Sequence, residues 1–378
     1  MKFTIERDHF KNGLAQVAGV VGGKNTAPQL NNVHIEAAGE SIALTTNNLD
    51  VGVRARVKAS VSTSGVITLP VKLLSSIIAS LPDKNVTLEV NSQNRATILS
   101  GSSRFNIIGL PEDNFPQLGK VDSGLEFEVP SADVAVILKK VSHAQSTDEG
   151  RFILNGVFFE FGAGKLAVAA TDGRRLATAG KAIAGADELS GKFVLPSRSV
   201  TEVLRILAGS KLAKIAFNER QVTFTASLSE ETSKDTGLVE NIHLISKLVD
   251  GNYPNYAQVI PKETVHHLKI ERALLLKSIE LASVVLTEKS KTLKLTFGDN
   301  LIHIVGESSE NGDGSSDVAV AYDGPQLKIA FNPEFLRASL DALNDDMITF
   351  EFKDELSPGV VKGSDNFLCV IMPQRSTN

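Results

Sequence analysis

LPVKLLSSIIASL, Leu69 to Leu81, returns as LPSRSVTEVLRIL at Leu195 to Leu207 and again as FNPEFLRASLDAL at Phe331 to Leu343, at offsets of 126 and 136 residues. The apolar positions coincide: Leu74, Val200 and Leu336; Ile78, Leu204 and Leu340; Leu81, Leu207 and Leu343. Their i, i+4, i+7 spacing marks one face of a helix. Each copy also carries a proline near its start, where a missing N–H costs little. A second helical stretch precedes each copy. FTIERDHFKNGLAQVAGVV from Phe3, FEVPSADVAVILKKVSHAQ from Phe127 and LKIERALLLKSIELASVVL from Leu268 each read as a short strand and then a helix. Their apolar faces run Phe10, Leu14, Val17; Val134, Leu138, Val141; and Leu275, Ile279, Ala282. Between these landmarks lie alternating stretches such as SIALTTNN, NVTLEVN, GVFFEFG and QVTFTASL, which read as strands.

Two helix types recurring three times in one order make an internal repeat. The predicted fold is α+β, with three tandem copies of a two-helix, two-sheet domain at residues 1–124, 125–261 and 262–378. One segment breaks the pattern. SLSEETSKDTGLVENIH, Ser227 to His243, is polar where the first copy has a short connection, and it reads as a flexible hairpin loop.

Composition narrows the function. The 378 residues are 42% hydrophobic and 22% charged, ordinary for a globular chain. A single cysteine, Cys369, permits neither an internal disulfide nor a zinc site. MKFTIERDHF lacks a leader pattern, and no apolar run approaches about 18 residues, so a cytoplasmic protein without a membrane partner is expected. Catalysis is disfavoured, because GxxxxGK[ST], HExxH and GxSxG are all missing. His266 and His267 are adjacent in a strand pattern, so they point to opposite faces and do not share a metal. No cofactor, metal or catalytic residue is expected. The net charge of −5 argues mildly against nucleic acid, although 39 Lys and Arg can still gather on one face.

One corner stands apart. ATDGRRLA, Ala170 to Ala177, places two arginines after an Asp-Gly turn, and at an offset of 125 Thr171–Leu176 falls on Thr46–Val51, where the turn persists without the arginines. A type I′ hairpin with solvated arginines explains the turn but not the difference between copies, which points to a function for this corner.

ATDGRRLA, LVDGNYPNY from Leu248, the opening MKFTIER and the closing VIMPQR together resemble the bacterial sliding clamps, the beta subunits of DNA polymerase III, over the whole chain. The resemblance implies a homodimer closed head to tail into a six-domain ring, with twelve helices lining a hole that holds duplex DNA. Residues expected to face that DNA are Lys24, Lys72, Lys139, Lys140, Arg198, Arg205 and Arg337. The dimer contact is expected between Phe105 and Ile107 of one chain and Val285 and Leu286 of the other. The resemblance also implies a pocket for short peptide motifs of the replicative DNA polymerase, the clamp loader and other clamp-binding proteins. Its residues here would be Leu154, Thr171, Gly173, Arg174, Arg175, Leu176, Pro254, Val259, Tyr322, Val370, Ile371, Met372, Pro373 and Arg375. The chain departs from the family at Arg174, often histidine there, near Gln258, where a second arginine is usual, and at Gln374, often methionine. The alternative is a tandem-repeat scaffold that binds proteins without encircling DNA. The exposed faces of its repeat helices would be neutral or acidic, whereas those of a clamp would be basic.

Overall fold

The computed structural model describes residues 1–22, 27–119, 121, 124–183 and 190–375. The first repeat contributes β1 (Lys2–Glu6), α1 (Arg7–Val17), β2 (Asn32–Ala38), β3 (Ser41–Asn47), β4 (Val51–Lys58), β5 (Ser60–Thr63), β6 (Gly65–Pro70), α2 (Val71–Ser80), β7 (Asn85–Val90), β8 (Arg95–Ser100) and β9 (Ser103–Ile108). The second contributes β10 (Leu125–Pro130), α3 (Ser131–Ser142), β11 (Gly156–Gly162), β12 (Lys165–Thr171), β13 (Arg175–Ala182), β14 (Gly191–Pro196), α4 (Ser197–Leu207), β15 (Ser210–Phe217), β16 (Gln221–Leu228), α5 (Glu230–Thr236) and β17 (Leu238–Lys247). The third contributes β18 (His266–Glu271), α6 (Arg272–Ser283), β19 (Leu293–Gly298), β20 (Leu301–Ser308), β21 (Gly312–Ala319), β22 (Leu327–Phe331), α7 (Pro333–Asp341), β23 (Met347–Phe352), β24 (Gly359–Lys362) and β25 (Leu368–Ile371).

All six repeat helices form where the periodicity places them, and nearly every position of the expected apolar faces is buried. Leu204 is the exception: it is half-buried, and Val200, Val203, Ile206 and Leu207 turn inward instead. Among the described residues no helix is long and apolar enough to cross a membrane.

The three repeats pack as two compact units, residues 1–135 with 198–248 and residues 136–197 with 249–378. The reason is that sheets run across repeat boundaries. In the first unit an eight-stranded antiparallel sheet has the order β10-β15-β16-β17-β4-β3-β2-β6, joining strands of the second repeat to strands of the first through the pair β17–β4. In the second unit the order is β14-β11-β12-β13-β25-β24-β23-β18, and the pair β13–β25 joins the second repeat to the third. Each unit also holds a smaller sheet that belongs to one repeat only: β5-β1-β7-β8-β9 in the first and β21-β20-β19-β22 in the second. The long sheets present alternating inward residues; along β16, Val222, Phe224 and Ala226 are fully buried.

The stretch Ser227–His243 is not a flexible loop. It completes β16, forms α5 and begins β17. The Ser229 side chain accepts a hydrogen bond from the Thr232 N–H at 3.1 Å, Glu230 and Glu231 occupy the first turn, and Gly237 ends the helix at φ 71° with its N–H on the Ser233 carbonyl. The Asn12 side chain of α1 donates to the Thr236 carbonyl at 3.4 Å. The polar composition thus reflects a short exposed helix that buries none of its own side chains. A Cβ at Gly237 would collide with the His9 ring at a backbone conformation that L residues rarely adopt. Gly237→Ala should therefore lower the unfolding free energy by roughly 1–3 kcal/mol, and Ser229→Ala by about 1 kcal/mol, in urea titrations. Wild-type stability in both variants would show that the caps do not hold this segment.

Candidate functional site

The corner between β12 and β13 is built by Asp172. Its Oδ1 accepts from the N–H groups of Arg174 at 2.8 Å and Arg175 at 3.0 Å, closing an Asx turn. Gly173 alone takes a positive φ, 85°, so the turn is not type I′. The first repeat makes the same turn with Asn48, whose Oδ1 accepts from Asp50 and Val51 while Leu49 takes φ 76°. Asp172 therefore corresponds to Asn48 and Arg175 to Val51, one residue away from the alignment expected from sequence. That alignment matched residue types, whereas the turn is defined by which side chain caps the backbone.

The two arginines have different fates. Arg175 is held inside: its Nε donates to Asp172 Oδ2 at 3.1 Å, its guanidinium lies 4.4 Å from the centre of the Phe335 ring, and its side chain is only 15% exposed. Arg174 is exposed. Beneath them, burial first and the Arg175 charge second hold His143 down at about 4, and burial pushes the Cys369 thiol up to about 12. The Cys369 sulfur is 3.9 Å from His143 Nε2.

Strand β25 docks on β13, pairing Arg175 with Ile371 and Leu176 with Val370. The chain end then continues along the corner, the Met372 N–H donating to the Arg174 carbonyl at 2.9 Å and the Gln374 N–H to the Ala330 carbonyl at 2.8 Å. The Gln374 side chain accepts from the Thr292 hydroxyl at 2.8 Å. Leu176 packs with Phe158, Ala169, Val194 and Val370 in a core that Ile153, Tyr253, Tyr256 and Ile260 extend. Tyr253 stacks on Phe158 with ring centres 4.9 Å apart.

Several expected pocket residues are therefore core rather than surface. Leu176 and Ile371 are 1% and 0% exposed, and they are apolar because they are interior. Leu176 is thus not a rim residue, and its truncation would injure the fold before any ligand is considered. Val370 is likewise buried. Tyr322 belongs to an aromatic group with Phe297, Phe352 and His266 and donates to the Pro325 carbonyl. Thr171 serves the turn, its hydroxyl donating to the Arg175 carbonyl. Met372 and Val259 are exposed apolar residues, Pro254 and Arg375 are exposed, and Leu154 and Pro373 are half-buried. The sequence reading missed Arg151, whose guanidinium donates to the Asp172 carbonyl at 3.2 Å, and the exposed Phe152 beside it. RF after a polar stretch gave no periodic signal. Phe335, on α7, was also missed as the ring beneath Arg175.

The helix cations divide as well. Lys140 is buried and donates to the Ser364 carbonyl, the Ser364 hydroxyl and Asp365, so it does not face a ligand. Arg205 pairs with Glu202 at 2.6 Å, and Arg337 lies 3.4 Å from both Glu280 and Asp341. Arg198 donates to the Val20 and Gly22 carbonyls. Lys72 and Lys139 are exposed, and Lys24 lies outside the described residues. With the buried Lys140 and Glu202 left out, the six repeat helices carry a net +4 in a chain of −5, α7 alone being acidic. The helices are basic, as a clamp requires and a scaffold does not.

At the expected dimer contact, Phe105 and Ile107 share one face of β9, Phe105 37% exposed and Ile107 only 6%, while alternation points Ile108 to the opposite face at 70%. On the other side Val285 and Leu286 are half-buried, and the exposed apolar residue is Val284 at 77%.

His143 gives a pH signature. Its folded pKa lies below its unfolded one, so between about 6.5 and 4 the unfolded chain holds a proton that the folded chain refuses. Stability from this group is full above that window and is lost as pH falls through it. His143→Gln should flatten the pH 7 to 5 stability difference by about 1–2 kcal/mol in urea titrations. An unchanged slope would contradict the burial.

The chain matches the DNA polymerase III beta subunit in three parts: its N-terminal domain at residues 1–119, central domain at 128–255 and C-terminal domain at 257–375. A beta sliding clamp of Chlamydia muridarum is 29% identical over 375 residues, 99% of each chain. The DNA polymerase sliding clamp of Bacillus subtilis superposes with a TM-score of 0.89 at 26% identity, covering 100% of this chain and 99% of that one. A sliding clamp of Pseudomonas aeruginosa, solved bound to griselimycin, gives 0.89 at 27% identity over all of both chains. With three domain matches in order, basic repeat helices and a strand-joined repeat architecture, this chain belongs to the DNA polymerase III beta subunit family, the non-catalytic DNA sliding clamps.

Proposed function

We propose that two copies of this chain close head to tail into a ring around duplex DNA, and that the ring tethers the replicative polymerase, the clamp loader and other partners through short peptides bound at the Asp172–Arg175 corner. The observation that carries the ring is the strand order. Each repeat supplies two sheets, and within the chain the outer strand of one repeat pairs with the last strand of the next: β4 with β17, then β13 with β25. The equivalents left at sheet edges are β21 of the third repeat and β9 of the first. Pairing β21 of one copy with β9 of another continues the same rule as a heterologous contact, and the closure after two chains is what the family resemblance implies.

The edges are complementary. Strand β9 carries exposed Arg104, while β21 carries exposed Asp313 and Asp317, with Glu307 on the neighbouring β20. Exposed Phe105 would meet exposed Val284 and Leu281. Unpaired edges with apolar residues otherwise invite aggregation, so a dedicated partner strand explains their survival.

Cytoplasmic DNA would be held topologically by the basic helices, with little sequence preference and weak, salt-sensitive contacts. Peptide capture is supported by the exposed apolar residues Met372, Val259 and Phe152, by the exposed Arg151 and Arg174 at the same turn, and by the ligand-bound relative from Pseudomonas aeruginosa.

Sedimentation should give a dimer for the wild type at micromolar concentration, and Phe105→Asp with Val284→Asp should give folded monomers, since charge would be desolvated at an apolar contact. A monomeric wild type would contradict the ring. For the peptide site, Met372→Ala should weaken binding of a short peptide with two or three apolar anchors by on the order of 1–3 kcal/mol, measured by calorimetry, and ending the chain at Ile371 should abolish it with the dimer intact. Unchanged affinity in both would place the site elsewhere.

A further inference from the structure

We infer that Lys140 is a positioning residue for ring closure: clasped by the turn between β24 and β25, it fixes the angle at which the third repeat leaves the second, and through that angle the fit of the contact between chains. The inference rests on the ring reading. At the second joint the ladder between repeats is short, from Arg175–Ile371 to Thr178–Leu368, whereas β4 and β17 pair from Val57–Leu238 to Val51–Ser246. A few backbone hydrogen bonds in a row hold two strands along a line and resist turning about that line only weakly, so ties placed off the line set the angle. Two cations of the second repeat supply such ties, one at each end of the ladder. At the corner end, Arg175 lies over the Phe335 ring of α7. At the other end, the Lys140 side chain is 5% exposed and donates to the Ser364 carbonyl at 3.0 Å, the Ser364 hydroxyl at 3.0 Å and Asp365 Oδ2 at 2.9 Å. A buried ammonium is tolerated only where its charge is met, so this geometry has little freedom. Asp365 is also held by Lys181 at 2.6 Å, and its carbonyl accepts from the Gly180 N–H at 3.1 Å, which extends the short ladder.

The bonds continue toward the contact between chains. The Ser364 N–H and hydroxyl both donate to the Asp345 carboxylate, each at 3.1 Å, and the Asp345 carbonyl accepts from Arg272 Nε at 2.9 Å. Arg272 opens α6, the helix that carries exposed Leu281 and leads to exposed Val284. Lys140 on α3 is thus connected, bond by bond, to the helix expected at the other chain. The clasp is particular to this joint. Two residues past the matched Leu14, Leu138 and Ile279, the three repeats carry Gln16, Lys140 and Leu281. Among the described residues Gln16 Oε1 is buried without a hydrogen-bond partner and Leu281 is 53% exposed, so the second repeat alone places a charge at this position.

The test measures the dimer dissociation constant by sedimentation, with urea unfolding and circular dichroism in parallel, for wild type, Lys140→Met, Asp365→Asn and the double variant. Lys140→Met keeps the length of the stem and leaves Asp365 with Lys181, while Asp365→Asn lies on a turn and carries the test if Lys140→Met does not fold. Each single variant should stay folded and raise the dissociation constant on the order of tenfold, and the double variant should exceed either by less than about threefold, because the two residues act as one tie. Residence on circular DNA should shorten in step. A dissociation constant unchanged in both single variants overturns the inference and leaves the ring standing, even where the urea midpoint falls, since that would be stability alone. Effects that multiply in the double variant overturn it too, because the residues would then act separately. Shortened residence on circles at an unchanged dissociation constant also overturns it, making Lys140 a DNA contact. A monomeric wild type overturns both the inference and the ring.

Discussion

Antiparallel strand pairing across repeat boundaries is the interaction on which the rest depends. Backbone hydrogen bonds between β4 and β17, and between β13 and β25, fuse sheets that belong to different repeats. Such ladders are directional, and a one-residue slip would turn buried side chains outward; the bulge in β17 between Val239 and His243 inserts two residues and so keeps the faces in step. They explain why three repeats pack as two units, and they set the rule that leaves β21 and β9 unpaired. The same pairing positions the candidate peptide site. β25 carries the chain end onto β13, so Met372 rests on the Arg174 carbonyl only because the two repeats share a sheet.

The corresponding joint in the first unit shows what is particular about the second. There the connector aromatic Phe115 packs on His34, ring centres 5.0 Å apart, as Tyr253 packs on Phe158. The turn before β4 presents Asp50 where the turn before β13 presents Arg174. One scaffold thus yields two corners of opposite charge. Function in this chain is written in the residues the scaffold exposes, and the scaffold itself is common to both joints.

Much of the fold was legible. The six helices follow from apolar spacing, since a helix buries one stripe and its period shows in sequence. Adjacent His266 and His267 part as alternation requires, the first against Phe352 and the second toward Glu351. What escaped was set by tertiary context. Lys140 looks like a solvated helix cation until Asp365, 225 residues away, is seen to hold it. Leu176 and Ile371 were expected at the pocket from the resemblance, which matches residues to a site and does not show how deeply this chain buries each of them. Ile107 shares the face of Phe105 but is covered within its own chain, which alternation does not show. The Ser227–His243 helix was hidden by its composition, since an exposed two-turn helix has no apolar stripe and shows only its caps.

The ring is the central claim, and topology tests it most directly. The protein is assembled on a nicked circular duplex with a clamp-loading complex, freed of unbound material by gel filtration in 0.5 M salt, and passed over the column again after a single restriction cut. Encirclement predicts that the protein co-elutes with the circle and is released when the DNA is linearised, because it slides off the ends while its phosphate contacts are screened. Equal retention on circular and linear DNA would mean that direct contacts hold the protein, and would contradict a closed ring.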